Sequence, residues 1–163
     1  MRSKGTWVRL NAADAPSDGA GTGLVLGASV YAPRSSAEGG RVLVDRLWPR
    51  GLARDSGQFE VWMKAIAPST ELRRWYHHQA NLLPEFRRRY REELQHAPGW
   101  NALERLASTL QEGEVTLVTA THELSLSAAR VLADELALRA DVQAKLQSQS
   151  GAKPALAIQK ENL

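Results

Sequence analysis

The sequence predicts a single α/β domain built on a small, mainly parallel sheet flanked by helices. Three observations carry this reading. Two short apolar runs rich in β-branched residues, Val42-Leu43-Val44 and 115–120 (VTLVTA), have the continuous character of strands buried on both faces. Between them lie segments whose apolar residues recur at helical spacing. The resulting order of two strands, several helices, a strand and a helix is that of a layered α/β chain.

Each element has a local cause. Residues 24–31 (LVLGASVY) read as a first strand and 33–40 as a loop, by its proline, serines and paired glycines. Residues 41–47 (RVLVDRL) form the clearest strand, stopped by Trp48-Pro49-Arg50-Gly51. About ten residues join these two strands, short for a parallel crossover, so a local antiparallel pair stays open. Residues 59–67 read as a short helix. Ser69 or Thr70 can cap the next helix, which runs to about His78. Pro84 suits a first helical position, and Leu83, Phe86, Tyr90 and Leu94 make one apolar stripe behind it. A helix over 100–112 presents Leu103, Leu106 and Leu110, with Gly113 suited to a left-handed cap. Trp62, Trp75 and Trp100 fall on the predicted helices as core residues. Residues 124–138 complete the set as a long helix. The domain is thereby expected over 23–139, between a loose N-terminal extension (1–22) and a polar, frayed tail (140–163).

Composition narrows the function classes. The 163 residues, 43% of them hydrophobic, suffice for one core without staples, and the absence of cysteine excludes disulfides, thiolate catalysis and thiolate metal sites. No run approaches the ~18 apolar residues of a membrane span, and the first residues lack the apolar stretch of a secretory signal. A cytoplasmic protein without membrane contact is the expectation. The net charge of +3 conceals a basic middle: residues 41–96 carry 11 Lys/Arg against 7 acids, a local balance of +4. Such a middle suits an anionic partner, or is a solvated charged surface.

Two strand exits concentrate side chains with chemistry. The first, Asp45-Arg46-Leu47-Trp48-Pro49-Arg50-Gly51, sets a carboxylate, two guanidiniums and an indole at the end of a buried strand. Arginine presents a planar fork that matches carboxylate or phosphate oxygens, and tryptophan can stack on a ligand. An Asp45–arginine salt bridge that merely anchors the loop is the competing reading. The second exit, Thr119-Ala120-Thr121-His122-Glu123, precedes a helix whose free N–H groups favour anions. If the two strands are parallel neighbours, both exits line one crevice at the carboxyl edge of the sheet, where α/β proteins bind ligands. Arg46, Trp48, Arg50 and Thr121 are then the ligand contacts. Asp45, Glu123 and His122 are the acid–base candidates, with a surface-turn role as the alternative for His122. No zinc spacing, Gly-rich phosphate loop or nucleophile elbow is present, and no metal or cofactor is expected. The arginines of 87–91 alternate with Glu85, Glu92 and Glu93 and read as a self-neutralised helix face.

Four segments together resemble a known family. RVLVDRLWPRGL (41–52), APSTELRRWYHH (67–78), FRRRYREEL (86–94) and VTLVTATHELSLSAARVL (115–132) are similar to the YeaO-like proteins of the bacterial domain-of-unknown-function family number 488. The resemblance spans about 24–138 and implies a small cytosolic α/β protein with no established activity. Asp45, Arg46, Trp48, Pro49, Arg50 and Gly51 match the family string, and Ser69, Leu72, Arg73, Trp75 and His78 match the second motif. The chain departs from the pattern where the family more often has Lys-Asp (here His122-Glu123), His-Asn (Leu126-Ser127) and Phe-Gly (Tyr76-His77). It also lacks the late Cys-His-Arg motif of one branch, so no thiol chemistry is implied. Three function classes follow, the last of them a stress-linked accessory protein with no ligand pocket. The leading one is an anion-binding crevice for a phosphorylated or nucleotide-like small molecule, with or without catalysis. The second is a non-catalytic nucleic-acid or protein-interaction module using the basic middle.

Overall fold

The computed structural model describes Val8–Arg9, residues 25–34 and residues 38–149. Five strands form one sheet in the order β1-β2-β5-β3-β4, where β1 is Val8–Arg9, β2 Val25–Ser29, β3 Gly40–Leu43, β4 Val61–Trp62 and β5 Val115–Thr119. Four strands run parallel, and β1 adds an antiparallel edge to β2. The helices are α1 (Thr70–Tyr76), α2 (Leu83–Glu93), α3 (Gly99–Glu112) and α4 (Ala128–Gln149). The predicted α/β class and the mainly parallel sheet are therefore present.

The question of the first two long strands resolves in an unexpected way. β2 and β3 do not pair at all. Each pairs in parallel with β5, which enters between them from the far end of the chain, with Gly27 and Val42 both opposite Leu117. The ten-residue connection must therefore cross β5, and its described residues, 30–34 and 38–39, form no helix. Arg41 holds it there. Its side chain is fully buried and grips the carboxylate of Glu38 through Nε (2.5 Å) and Nη2 (2.9 Å), while Nη1 and Nη2 also reach the carbonyls of Ala32 (3.1 Å) and Pro33 (3.2 Å). Both carbonyls lie on the connection itself. At its arrival the chain presses so closely on β5 that a Cβ on Gly39 would sit 1.9 Å from the Glu114 carbonyl oxygen, a place only glycine can fill.

Strand alternation then assigns the two faces. Val42 and Val44 join Leu117 and Val115 in the large core, with Leu72, Tyr76, Phe86, Tyr90, Leu94, Leu103, Leu106 and Leu132 of the four helices. Leu43, Val118, Ala28 and Val30 form a second, smaller core covered by Leu52, Phe59 and Trp62. The α2 stripe is buried as expected, with Phe86, Tyr90 and Leu94 at 3% exposure or less. Ser69 caps α1, accepting the Leu72 N–H at 3.1 Å.

Several expectations need correction. The predicted helix over 59–67 is strand β4 followed by a short 3-10 turn at Lys64–Ile66. The β-branched and aromatic pair Val61-Trp62 finds an open edge on β3. Gly113 ends α3 in an extended rather than left-handed conformation. The last helix is broken at Ser127, whose hydroxyl accepts the Arg130 N–H and starts α4 afresh. α4 continues to Gln149, past the expected boundary at 139, and Val8–Arg9 of the expected loose N-terminus pairs with β2. The rest of both expected ends lies outside the described residues. Trp100 is a surface residue beneath the Arg139 guanidinium (4.4 Å), 40% exposed.

Breaking a buried ion pair by removing one partner strands the other in a low-dielectric site. Arg41→Met is expected to cost about 3–5 kcal/mol in urea denaturation. Arg88→Ala on the exposed face of α2 is expected to cost far less. Equal losses in the two variants would contradict the anchoring role of Arg41.

Candidate functional site

Because β3 and β5 are parallel neighbours, their exits do rise at one edge of the sheet. The chain leaving β3 proceeds to β4 on one side. The chain leaving β5 proceeds to α4, which packs on β5 and β2 on the other. The space between the two exits is thus a topological switch point, the place where open α/β sheets bind ligands.

Asp45 spans that point. One carboxylate oxygen accepts the Thr119 hydroxyl at 2.7 Å, and the other accepts the Ala120 N–H at 2.7 Å. The Asp45 carbonyl accepts the Trp62 indole N–H at 2.7 Å, so one residue ties together β3, β4 and β5. The Thr119 hydroxyl also accepts the Thr121 N–H at 3.1 Å and shapes the turn that follows. Burial pushes the Asp45 carboxyl above the ordinary value of 3.8. The hydrogen bonds from Ala120 and Thr119 and the charge of His78 pull it down without offsetting the burial.

The other predicted residues disperse from this point. Arg46 turns toward the start of α1 and donates to the carbonyls of Pro68 (2.8 Å, from Nε) and Ala67 (3.3 Å). Trp48 donates its indole N–H to the Leu52 carbonyl at 2.8 Å and packs against Phe59 and Trp62, with the Arg54 guanidinium 4.4 Å above its ring. Arg50 is exposed on the same loop, and its carbonyl accepts the Tyr31 hydroxyl (2.8 Å). Thr121 is half-buried beside Thr119. His122 and Glu123 are exposed, and Glu123 accepts the Ser125 hydroxyl at 2.7 Å. Asp45 and Thr121 come together through Thr119. The acid–base trio of Asp45, His122 and Glu123 shares no hydrogen bond among the described residues.

Residues that sequence reasoning left out complete the edge. α1 lies across it. The segment entering α1 receives Arg46 at its Ala67 and Pro68 carbonyls, while at the other end the Tyr76 hydroxyl donates to Leu126, just past β5, at 2.8 Å. Beyond Tyr76 the chain turns through two consecutive left-handed residues, His77 (φ 45°) and His78 (φ 55°). A side chain in this region costs of order 1–3 kcal/mol per residue and is found where surrounding structure enforces it, often at binding sites. The His78 ring stands edge-on to Tyr76 (5.5 Å), and its charge acts on Asp45. Tyr90 lies beneath, fully buried, donating to the Ile66 carbonyl at 2.6 Å, its hydroxyl pushed well up by burial. Glu93 receives both the hydroxyl and the N–H of Ser69 (2.5 and 2.8 Å).

The basic helix α2 offers no comparable site. Arg88 pairs with Glu85 and Glu92, Arg89 with Glu85, Arg87 with Asp134 and Arg91 with Glu135. The hydrogen bonds from Arg88 and Arg89 hold the Glu85 carboxyl down to about 2. A groove of about 710 Å³ between α1 and α2 is lined by Glu71, Glu92 and Glu93 beside a single arginine, Arg89, which does not suit an anion. No helix among the described residues is long and apolar enough to cross a membrane.

Comparison with known proteins agrees with the family resemblance. A family model described as the inactive DUF488-N3 subclade, DUF488-N3i, matches residues 26–155. An uncharacterised protein of Mycobacterium tuberculosis H37Rv is 45% identical over 109 residues, covering 67% of this chain and 90% of its own. The uncharacterised protein YeaO of Escherichia coli K12 is 39% identical over 107 residues, covering 66% and 91%. No solved structure matches.

Asp45→Asn preserves shape but leaves one of the two donors facing an amide NH₂. It is expected to cost about 1–3 kcal/mol near pH 4. Folding raises the Asp45 pKa, so its contribution to stability is complete below the unfolded value near 4 and is lost as pH rises through the folded value. The stability gap between wild type and Asp45→Asn therefore narrows as pH rises over that window, measured by urea denaturation. A gap that widens there contradicts the burial-dominated shift.

Proposed function

The chain belongs to the DUF488 family, and from that premise we propose that it binds an anionic small molecule at the β3/β5 switch point without acid–base catalysis. The observation that carries this reading is the double engagement of Asp45. A general base must be free to aim a carboxylate lone pair at the substrate's proton, and each hydrogen bond to the protein's own backbone or side chains holds it in another direction. Both oxygens of Asp45 already serve the exits of β5. His122 and Glu123, the other candidates, stand exposed and apart from it. The description of the matching subclade as inactive supports the same direction.

Binding an anion requires cations near the edge rather than a free base. Arg46 contributes a guanidinium of which two donors are held by the Ala67 and Pro68 carbonyls, so its charge is fixed in place. Arg50 and Arg54 carry exposed guanidiniums on the β3 exit loop. The nucleic-acid alternative draws less support, because the guanidiniums of α2 that would meet a phosphate backbone are paired with carboxylates.

A panel of inorganic phosphate, pyrophosphate, nucleoside monophosphates, citrate and short oligonucleotides tests the proposal by thermal shift. A small anion at a hundred times its Kd is expected to add about 2.7 kcal/mol, a Tm rise of roughly 5–10 °C at this domain size. Arg50→Ala is expected to reduce the rise, and Arg88→Ala to leave it unchanged. Stabilisation by oligonucleotides alone, steeply lost with salt and lost in Arg88→Ala, would overturn the small-molecule reading in favour of a nucleic-acid interface.

A further inference from the structure

We infer that the anion is gripped from α1, by the guanidinium of Arg73 with the imidazole of His78 beside it. This inference rests on the switch-point reading and deepens it. α1 is tied to both strand exits, through Arg46 at its entry and through Tyr76 at its end. α1 is therefore the helix that borders both exits.

Arg73 is exceptional among the half-buried arginines. Arg46 is held by carbonyls, and Arg87, Arg91, Arg130 and Arg139 each face a carboxylate. The Arg73 guanidinium has no hydrogen bond or ion pair among the described residues, and its Nε is buried with no partner. A desolvated, unpaired donor on a permanent cation is costly and invites an oxyanion. A planar fork of donors suits the oxygens of a phosphate or carboxylate group.

An independent observation comes one turn later. The Arg73 carbonyl accepts the His77 N–H at 3.0 Å, closing α1 and starting the left-handed pair. That pair keeps two side chains in a conformation where glycine is unstrained. It sets the His78 ring edge-on to Tyr76 at 5.5 Å, the residue whose hydroxyl reaches Leu126 beyond β5. An uncompensated cation and a strained histidine turn thus meet at the two ends of one helical turn. Both reduce the stability of the empty protein, and both are accounted for if a bound anion completes them.

A purely structural role makes the opposite forecast. If Arg73 serves α1 only by complementing the negative end of its dipole, removing the charge lowers Tm. The test compares wild type, Arg73→Met, His78→Gly and the exposed neighbour variant Arg74→Met, by thermal unfolding without ligand and by calorimetric titration with inorganic phosphate, pyrophosphate and citrate. The inference expects Arg73→Met and His78→Gly to unfold no lower than wild type. It expects each to weaken binding of the best probe, roughly tenfold or more for Arg73→Met, with Arg74→Met unchanged. Should Arg73→Met fold poorly, Arg73→Lys decides, since it retains the charge and loses the fork: weakened binding supports the inference and unchanged binding overturns it. Wild-type affinity in Arg73→Met overturns the assignment to α1 and leaves the switch-point reading standing. No binding of any probe to wild type overturns both.

Discussion

A buried guanidinium decides the topology of this protein. β5 can occupy the centre of the sheet only if the chain passes over it between β2 and β3, and a connection of about ten residues is too short to do so as a helix. A chain packed onto a sheet leaves backbone carbonyls facing inward, and these need donors. Arg41 supplies them, reaching Ala32 and Pro33 while Glu38 neutralises it. Gly39 allows the close approach to Glu114 at the end of the passage. With the crossover held, β3 lies beside β5 and their carboxyl ends come together, which is the precondition for everything at that edge.

The edge itself is rich in polar groups, and most are committed to architecture. Asp45 fastens the β5 exit, Arg46 fastens the entry to α1, Trp48 closes a small apolar cluster, and Tyr90 and Glu93 hold α1 and α2 in register. On the proposed reading, this is how a carboxylate–arginine–tryptophan cluster comes to serve architecture at a strand exit. On that reading, the groups left over mark the binding side. Arg73 lacks a partner among the described residues, and His77 and His78 hold a backbone conformation that folding alone does not favour. Stability is lost at both places, the usual signature of residues kept for a ligand.

Much of the fold was legible in the sequence, and the reasons are specific. Val42-Leu43-Val44 and the 115–119 run read as strands because burial on both faces leaves a continuous apolar signature. The α2 stripe was legible because Phe86, Tyr90 and Leu94 follow one helical face. Strand order was not legible, since periodicity carries no record of which strand a segment will join, and β5 comes from more than seventy residues beyond β3. β4 was missed because two residues on an edge are too few to show alternation. At the site, the convergence of the two exits was anticipated, as was the mutual neutralisation of the α2 arginines. The role of each side chain was not. Arg46 and Arg73 look alike in sequence, and only geometry separates a guanidinium spent on backbone carbonyls from one without a partner. The left-handed histidine pair carries no glycine or asparagine to announce it.

The most direct test of an anion site at the switch point is a two-dimensional ¹H–¹⁵N spectrum recorded through a titration with inorganic phosphate or pyrophosphate. The Arg73 side-chain Nε–H is buried and serves as a separate probe. The account predicts that this resonance shifts with the same saturation curve as the backbone amides of Ala120, Thr121 and His78. Shifts confined to the arginines of α2, or an Arg73 Nε–H unmoved while the amides at Ala120 and Thr121 respond, would contradict it.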